Sequence, residues 1–168
     1  FDQGSHLTVY NSGYVLFSAG KRNTVFHIHD CCGDYAYDAA EGKGDVIEEE
    51  YFENCEWHMP YVWGGSSPST SFDCSGFVCW VINNSGNGWS VGRTTANGLR
   101  GKCSYVSPAD AQPGDLIFFE KTYNTVGASH VGIYVGNGMM IHCGDPIHYA
   151  SIDTSYWRSH FLQFGRLP

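Results

Sequence analysis

Residues 73–83 have the sequence DCSGFVCWVIN, and this stretch decides the fold. From Cys74 to about Asn83 the residues are almost all apolar, which predicts a short helix with Asp73 as its N-cap. The glycine-rich stretch Gly86-Asn87-Gly88 follows and ends the helix. Because a helix that is apolar on most sides is buried, we expect it to lie at the centre of the core.

Strand-like segments dominate the chain after this helix. Residues 89–112 are irregular, with one helical turn predicted near 95–100. Five strands are then predicted, at residues 116–120, 130–135, 139–143, 149–152 and 161–166. They indicate a mostly antiparallel sheet packed against the helix that begins at Cys74, so the fold class is α+β.

The residues before the helix contain a separate group of short segments. Three strands are predicted at 7–10, 14–18 and 24–29, the first two forming a hairpin around Asn11-Ser12-Gly13. The pattern further along predicts a helix over about 45–57, an extended stretch over 60–65 and a serine-rich loop over 66–71. With 168 residues, the chain has room for one ordinary domain.

Negative charge is concentrated in the first third of the chain. Residues 1–55 carry ten acidic and three basic residues, whereas residues 56–168 carry seven and six, within a net charge of −8. An acidic chain lacks the basic footprint of nucleic-acid binders, and no apolar run approaches the ~18 residues of a membrane span. We therefore expect neither nucleic acid nor a membrane as a partner. The first residue is Phe1, which favours a mature chain, a processed form or an excised domain.

Cys74 is the candidate nucleophile. At a helix N-terminus the backbone N–H groups and the helix dipole lower a thiol pKa, so we expect a reactive thiolate there. The adjacent carboxylate of Asp73 raises the thiol pKa through its like charge. We therefore expect a nearby cation that offsets this charge. Gly76 allows another backbone or a substrate to approach closely. Cys79, one turn further along, is interpreted as a structural thiol.

Two histidines can assist such a thiol. His130 shares one strand face with Gly132, where we expect room for the helix end to dock. His142 lies in the next strand, beyond Gly136-Asn137-Gly138. A two-residue turn places the histidines on opposite faces, whereas a three-residue loop with a left-handed Gly138 places them on one face, about 7–8 Å apart diagonally. The catalytic interpretation predicts the three-residue loop.

Five motifs occur in the order of a known family. They are Pro60-Tyr61-Val62-Trp63-Gly64-Gly65, Asp73-Cys74-Ser75-Gly76-Phe77-Val78, Pro113-Gly114-Asp115-Leu116, Ser129-His130-Val131-Gly132-Ile133-Tyr134 and Met140-Ile141-His142. Through these motifs, residues 57–168 resemble the NlpC-type bacterial cell-wall cysteine peptidases, which have a papain-like core. The resemblance implies hydrolysis of an amide bond in peptidoglycan stem peptides, usually between γ-D-glutamate and the third-position diamino acid.

The resemblance also implies roles for individual residues. Cys74 is the nucleophile, His130 is the base, and His142 orients the ring of His130. Tyr61 matches the family tyrosine near the oxyanion site. Asp73 and Ser75 match positions that bind the free amine of the stem's L-alanine in some members, and that ammonium, with a His130 imidazolium, would balance the charge of Asp73.

The same resemblance sets expectations for organisation and context. Residues 46–168 are expected to form the catalytic domain, and residues 1–45 an acidic β-rich extension or partial accessory module. We expect a monomer without a cofactor, acting outside the cell or at the wall, with its export signal absent from this chain. Two alternatives are an amidase or acyltransferase using the same residues, and a non-catalytic wall-binding module, which the intact Cys74, His130 and His142 disfavour.

Three features stay open. His27, His29, Cys31 and Cys32 resemble zinc ligands but lack the paired CxxC spacing, so two surface histidines and ordinary thiols are favoured and no metal is expected. Seven cysteines cannot all pair, although a disulfide among Cys31, Cys32, Cys55 and Cys103 is compatible with the sequence. Arg93 and Arg100 are candidates for telling lysine from diaminopimelate at the third stem position.

Overall fold

The computed structural model describes the backbone of residues 6–9, 14–19 and 22–27, and all atoms of residues 60–84, 90–145 and 147–168. The first three segments form an antiparallel sheet of β1 (His6–Val9), β2 (Tyr14–Ala19) and β3 (Arg22–His27), in that order. The predicted hairpin and third strand are therefore confirmed, with shifted ends. The helix predicted over 45–57 and the suspected zinc ligands His29, Cys31 and Cys32 lie outside the described residues.

A six-stranded antiparallel sheet is the main layer of the fold, with the strand order β10-β9-β8-β7-β11-β6. Its strands are β6 (Ser104–Val106), β7 (Leu116–Glu120), β8 (Ala128–Gly136), β9 (Met139–Cys143), β10 (Ile147–Ser151) and β11 (Phe161–Arg166). Five of these strands were predicted from alternation and β-branched or aromatic content. β6 lies in the segment predicted to be irregular, because three residues are too few for a pattern.

The helix α1 (Cys74–Asn84) packs on one face of this sheet. Its N-cap is Asp73, as predicted, because Oδ1 of Asp73 accepts the N–H of Gly76 at 2.7 Å. The first six residues of the helix are all buried, and its apolar side chains share one core with Val131 and Ile133 of β8. The prediction of a buried central helix is confirmed.

Smaller elements complete the fold. A two-stranded ribbon of β4 (Ser66–Ser67) and β5 (Ser71–Phe72) stands where the sequence predicted only a loop. The predicted helical turn is α2 (Ala96–Arg100), capped by the hydroxyl of Thr95, which accepts the N–H of Gly98. A further helix, α3 (Ser155–His160), was not predicted, because six residues give no helical periodicity. Among the described residues, no helix has the length and apolarity needed to cross a membrane.

Candidate active site

Cys74 is the first residue of α1, and its side chain is buried against β8. The backbone N–H groups of Val131 and Ser75 form hydrogen bonds that favour the thiolate and lower the pKa of Cys74. Because Val131 directly follows His130, the thiol lies beside the part of β8 that carries the candidate base. Gly76 permits a different close approach, that of the extended stretch before the helix: a Cβ on Gly76 would come within 2.0 Å of the carbonyl oxygen of Gly65. The predicted close backbone approach at Gly76 is confirmed.

The predicted low thiol pKa is wrong. Burial, followed by the negative charge of Asp73, raises the pKa of Cys74 to about 11. Only 7% of the residue is exposed, so the loss of hydration outweighs the contributions of the two N–H groups and of Arg93. The thiol is therefore protonated at rest, and its activation requires a base that removes the proton during attack.

The cation required beside Asp73 is Arg93. Its Nη2 lies 2.5 Å from Oδ2 of Asp73, and its Nη1 lies 3.0 Å from Oγ of Ser75. The other contacts of the carboxylate come from the N–H groups of Gly64 and Gly76 and from the hydroxyl of Ser75. The sequence interpretation missed this ion pair, since it assigned the balancing charge to a substrate ammonium and to His130. Arg93 follows α1 in an irregular segment, so no periodicity identifies its partner.

His130 and His142 lie on one face of the sheet, and Nε2 of His130 is 2.9 Å from Nδ1 of His142. The shared face was predicted from a three-residue loop, which is not what the structure contains. Asn137 and Gly138, both at positive φ, form a two-residue turn between Gly136 and Met139. An irregularity between Tyr134 and Gly136 then shifts the register by one residue. The bulge, rather than the loop, brings the two rings to the same side.

The space beside Gly132 is occupied by β9 and not, as the sequence predicted, by the end of the helix. A Cβ on Gly132 would come within 3.1 Å of the carbonyl oxygen of Ile141 and 3.2 Å of Cβ of His142. The neighbouring strand β9 therefore takes this space, and α1 packs on the opposite face with Val131 and Ile133. Gly132 lets β9 carry the ring of His142 towards His130.

Trp157 of α3 covers both imidazoles. Its ring stacks on His130 at a centroid distance of 5.3 Å and meets His142 edge-on at 5.2 Å. Burial lowers the pKa of His130 to about 4 against an opposing effect of Asp73, and burial with the neighbouring His130 and His148 lowers the pKa of His142 still further. Both rings are neutral at pH 7, so His130 can accept a proton. No sequence signal pointed to Trp157.

Aromatic side chains border the thiol on its solvent side. Burial, with the charges of Cys74 and Asp73, raises the pKa of Tyr61, which keeps its phenol protonated beside the thiol. Trp63 and Tyr123 are exposed and meet edge-to-face with ring centroids 5.1 Å apart. Burial, followed by the charges of Cys74 and Asp73, also raises the pKa of Tyr123, so this pair lies at the mouth of the same site.

The remaining described thiols are unpaired, and Arg100 has partners of its own. Cys79, Cys103 and Cys143 are free thiols, so Cys103 forms no disulfide with another described cysteine, and its suggested partners Cys31, Cys32 and Cys55 lie outside the described residues. Within residues 60–84, 90–145 and 147–168, no cluster of three or more metal-ligating side chains is present. Arg100 donates to Gln163 and Asn97.

A thiol at the N-terminus of a buried helix, beside an antiparallel sheet with two hydrogen-bonded histidines on adjacent strands, defines the papain-like class of α+β proteins. A family model described as "NlpC/P60 family" matches residues 58–166. The chain belongs to the NlpC/P60 family.

Two curated relatives and one solved structure give the scale of the similarity. The chain is 45% identical over 129 residues to the bifunctional muramidase/DL-endopeptidase CwlT of Bacillus subtilis, covering 76% of this chain and 38% of that protein. It is 44% identical over 104 residues to the probable peptidoglycan endopeptidase LytE of the same organism, covering 61% and 29%. A crystal structure of an NLP/P60-family lipoprotein-like protein from Staphylococcus aureus matches with 41% identity and a TM-score of 0.61, covering 66% and 37%. The chain thus spans less than two fifths of each protein.

Proposed function

We propose that this chain is a peptidoglycan hydrolase, a cysteine endopeptidase of the DL-endopeptidase type. The observation that carries the proposal is the 2.9 Å contact between the His130 and His142 rings next to the segment whose N–H binds the Cys74 thiol. The names of the similar Bacillus proteins, a DL-endopeptidase and a probable peptidoglycan endopeptidase, support the substrate class.

The mechanism begins from a neutral thiol and a neutral imidazole. Nδ1 of His130 removes the thiol proton as the sulfur of Cys74 attacks the amide carbonyl, giving a tetrahedral oxyanion. In this mechanism, backbone N–H groups at the start of α1, with the phenol of Tyr61, stabilise that oxyanion. His130 then protonates the departing amine, and later activates the water that releases the acyl group from Cys74.

His142 fixes the proton on His130. For Nδ1 of His130 to accept the thiol proton, its Nε2 must carry hydrogen and donate to Nδ1 of His142. The low pKa of His142 keeps that acceptor unprotonated. Because the ring of His130 is already held in the required tautomer, it does not have to rearrange when the thiol attacks. The role of His142 is therefore to orient His130.

Substrate binding by Asp73 and Ser75 stays a prediction. Both side chains are buried and hydrogen-bonded to Arg93, so a substrate ammonium would have to displace that guanidinium. Digestion of paired muropeptides with free and with acetylated N-terminal L-alanine measures the requirement. A strong preference for the free amine supports the predicted role of Asp73 and Ser75, and equal cleavage contradicts it.

The proposed bond joins γ-D-glutamate to an L-diamino acid, and the proposed place of action is the cell wall or the extracellular space. We also propose a monomer, with residues 46–168 as the catalytic domain and residues 1–45 as an extension. The family match at residues 58–166 falls inside the first of these ranges.

Digestion of defined muropeptides with mass analysis of the fragments tests the function. The wild type is expected to release fragments cut at the γ-D-glutamyl bond, as free acids rather than acyl-transfer products. Cys74→Ala and His130→Ala are expected to lose activity by about 10⁴-fold or more, whereas His142→Ala leaves a reduced remnant. Cys79→Ala is the matched control, because Cys79 lies in the same helix and its thiol donates to the carbonyl oxygen of Gly92. Cleavage by Cys74→Ala at the wild-type rate would sink the proposal.

A further inference from the structure

The proposed mechanism leaves one buried proton of His142 unaccounted for. If Nδ1 of His142 accepts from His130, the neutral ring of His142 must carry its own proton on Nε2. Nε2 of His142 is buried and has no hydrogen-bond partner among the described residues. A buried N–H donor without an acceptor is unfavourable, so the active tautomer needs something to accept this proton.

His148 is the side chain placed to do so. It lies directly opposite His142 in the pairing of β10 with β9, so both side chains project from the same face. The two rings meet at a centroid distance of 4.6 Å with an interplanar angle of 62°. His148 is exposed, whereas His142 is only 4% exposed.

Gly144 makes room for this contact. A Cβ on Gly144 would come within 2.8 Å of Cε1 of His148 and 3.1 Å of Cε1 of His142. A larger residue in the β9–β10 turn would therefore push the two rings apart. The glycine is needed here for the close approach of side chains, since its φ is not in the positive region.

The charge of His148 acts on both candidate catalytic rings. A positive charge on His148 disfavours protonation of His130 and of His142, and so lowers the pKa of each. The other charged groups around this array are Asp73, which acts on His130 from the start of α1, and Asp145, which acts on the neighbouring Cys143 from the β9–β10 turn. From α3 the array is covered by the uncharged ring of Trp157.

We propose that His148 is a positioning residue that accepts a hydrogen bond from Nε2 of His142. The hydrogen-bond chain then runs from His130 through His142 to His148, across the adjacent strands β8, β9 and β10. The neutral ring of His148 can accept this N–H through its π face, since the two rings lie 4.6 Å apart at a large interplanar angle. A protonated His148 carries hydrogen on both nitrogens and cannot accept. The proposal rests on the endopeptidase function, and it concerns the orientation of His142 rather than contact with the substrate.

Enzyme kinetics with muropeptides test the role. His148→Ala is expected to lower kcat by about fivefold to tenfold with little change in KM, the size of one lost hydrogen bond. His148→Gln, which retains a hydrogen-bond acceptor, is expected to restore most of kcat. Tyr105→Ala is the control, because it truncates an exposed aromatic side chain on β6 at the opposite edge of the sheet.

Long-range ¹H–¹⁵N NMR spectra of the histidine rings test the same hydrogen-bond chain in the absence of substrate. The wild type is expected to have His142 protonated on Nε2, and this signal should shift or broaden in His148→Ala while remaining in His148→Gln. The inference is overturned if His148→Ala keeps the wild-type kcat, or if the His142 signal is the same in the wild type and in both variants. If the wild type cleaves no muropeptide, the endopeptidase function is refuted instead. The NMR result then tests the hydrogen bond between His142 and His148 independently of activity.

Discussion

Two buried aspartates, each beside a cysteine and an arginine, differ in what they contribute. Asp73 lies between Cys74 and Arg93 at the start of α1, whereas Asp115 lies between Cys103 and Arg166 where β7 begins. Burial and the neighbouring carboxylate raise the pKa of the thiol in each case, to about 11 for Cys74 and about 12 for Cys103.

The two regions differ in what else surrounds the thiol. Cys74 has the N–H groups of Val131 and Ser75 and the charge of Arg93 to favour its thiolate. The pKa of Cys103 has no such opposing contribution. Arg166 instead binds both carboxylate oxygens of Asp115, at 2.6 and 2.8 Å, and so ties β11 to β7. The Asp115–Arg166 ion pair therefore has a structural role, and we call it the clamp. The region around Asp73 differs because its thiol lies at a helix N-terminus beside a histidine pair, which makes it a candidate site.

The largest expected effect is on stability, at the clamp. Asp115→Ala removes the acceptor of Arg166 and of the N–H of Gln112, so we expect a loss of about 3 kcal/mol in the free energy of unfolding. Urea unfolding measures it. Asp110→Ala, at an exposed carboxylate nearby, is the control and should change stability by less than about 0.5 kcal/mol. Equal losses in the two variants would contradict the clamp.

Acid should destabilise the histidine face. The unfolded chain binds a proton at His130 near pH 6.5, whereas the folded chain binds it only near pH 4, so lowering the pH through this interval favours unfolding. We expect a loss on the order of 2 kcal/mol between those pH values, smaller in His130→Gln. Urea unfolding at a series of pH values measures it, and identical pH dependence in wild type and variant would refute the assignment.

The two arginines should separate activity from stability. Arg93→Gln leaves the charge of Asp73 unbalanced beside Cys74, so we expect kcat/KM at neutral pH to fall about tenfold. Arg166→Gln loosens the clamp, so it should lower the unfolding free energy by about 1–2 kcal/mol while leaving kcat/KM of the folded protein unchanged. The same kinetic loss in both variants would mean that Arg93 acts only through folding.

The smallest effect concerns the reactivity of the thiols. Asp73→Asn keeps the N-cap acceptor and removes a like charge, so the pKa of Cys74 should fall and its alkylation by iodoacetamide should begin at lower pH. Asp115→Asn should act in the same direction on Cys103. Mass spectrometry of the two cysteine-containing peptides across a pH series follows both thiols, and an upward shift at Cys74 would contradict the electrostatic account.

Local patterns predicted the elements that are long or strongly apolar. The cap at Asp73 and the buried helix from Cys74 follow from residue types within one segment, and so does the alternation around His130. The common face of His130 and His142 was also predicted, but from the wrong turn. A bulge between Tyr134 and Gly136 leaves no recognisable pattern in the sequence, whereas the loop length and the position of glycine can be read from it.

Features that depend on long-range packing were not predictable. The pairing of Arg93 with Asp73 joins residues twenty positions apart, and the cover of Trp157 over His130 depends on a six-residue helix. The thiol pKa was predicted in the wrong direction because burial of Cys74 depends on packing that no local pattern specifies. The roles of Tyr61, Asp73 and Ser75 in substrate binding remain predictions from the resemblance.

Trapping of the acyl-enzyme tests the central claim, that Cys74 is the nucleophile, most directly. A defined muropeptide is mixed with enzyme, the reaction is quenched in acid within one turnover, and the protein is mapped by mass spectrometry. We expect the mass of the released acyl fragment on the peptide that contains Cys74, and on no peptide in Cys74→Ala. Acyl mass on Cys79, Cys103 or Cys143 instead, or rapid cleavage by Cys74→Ala, would contradict the account.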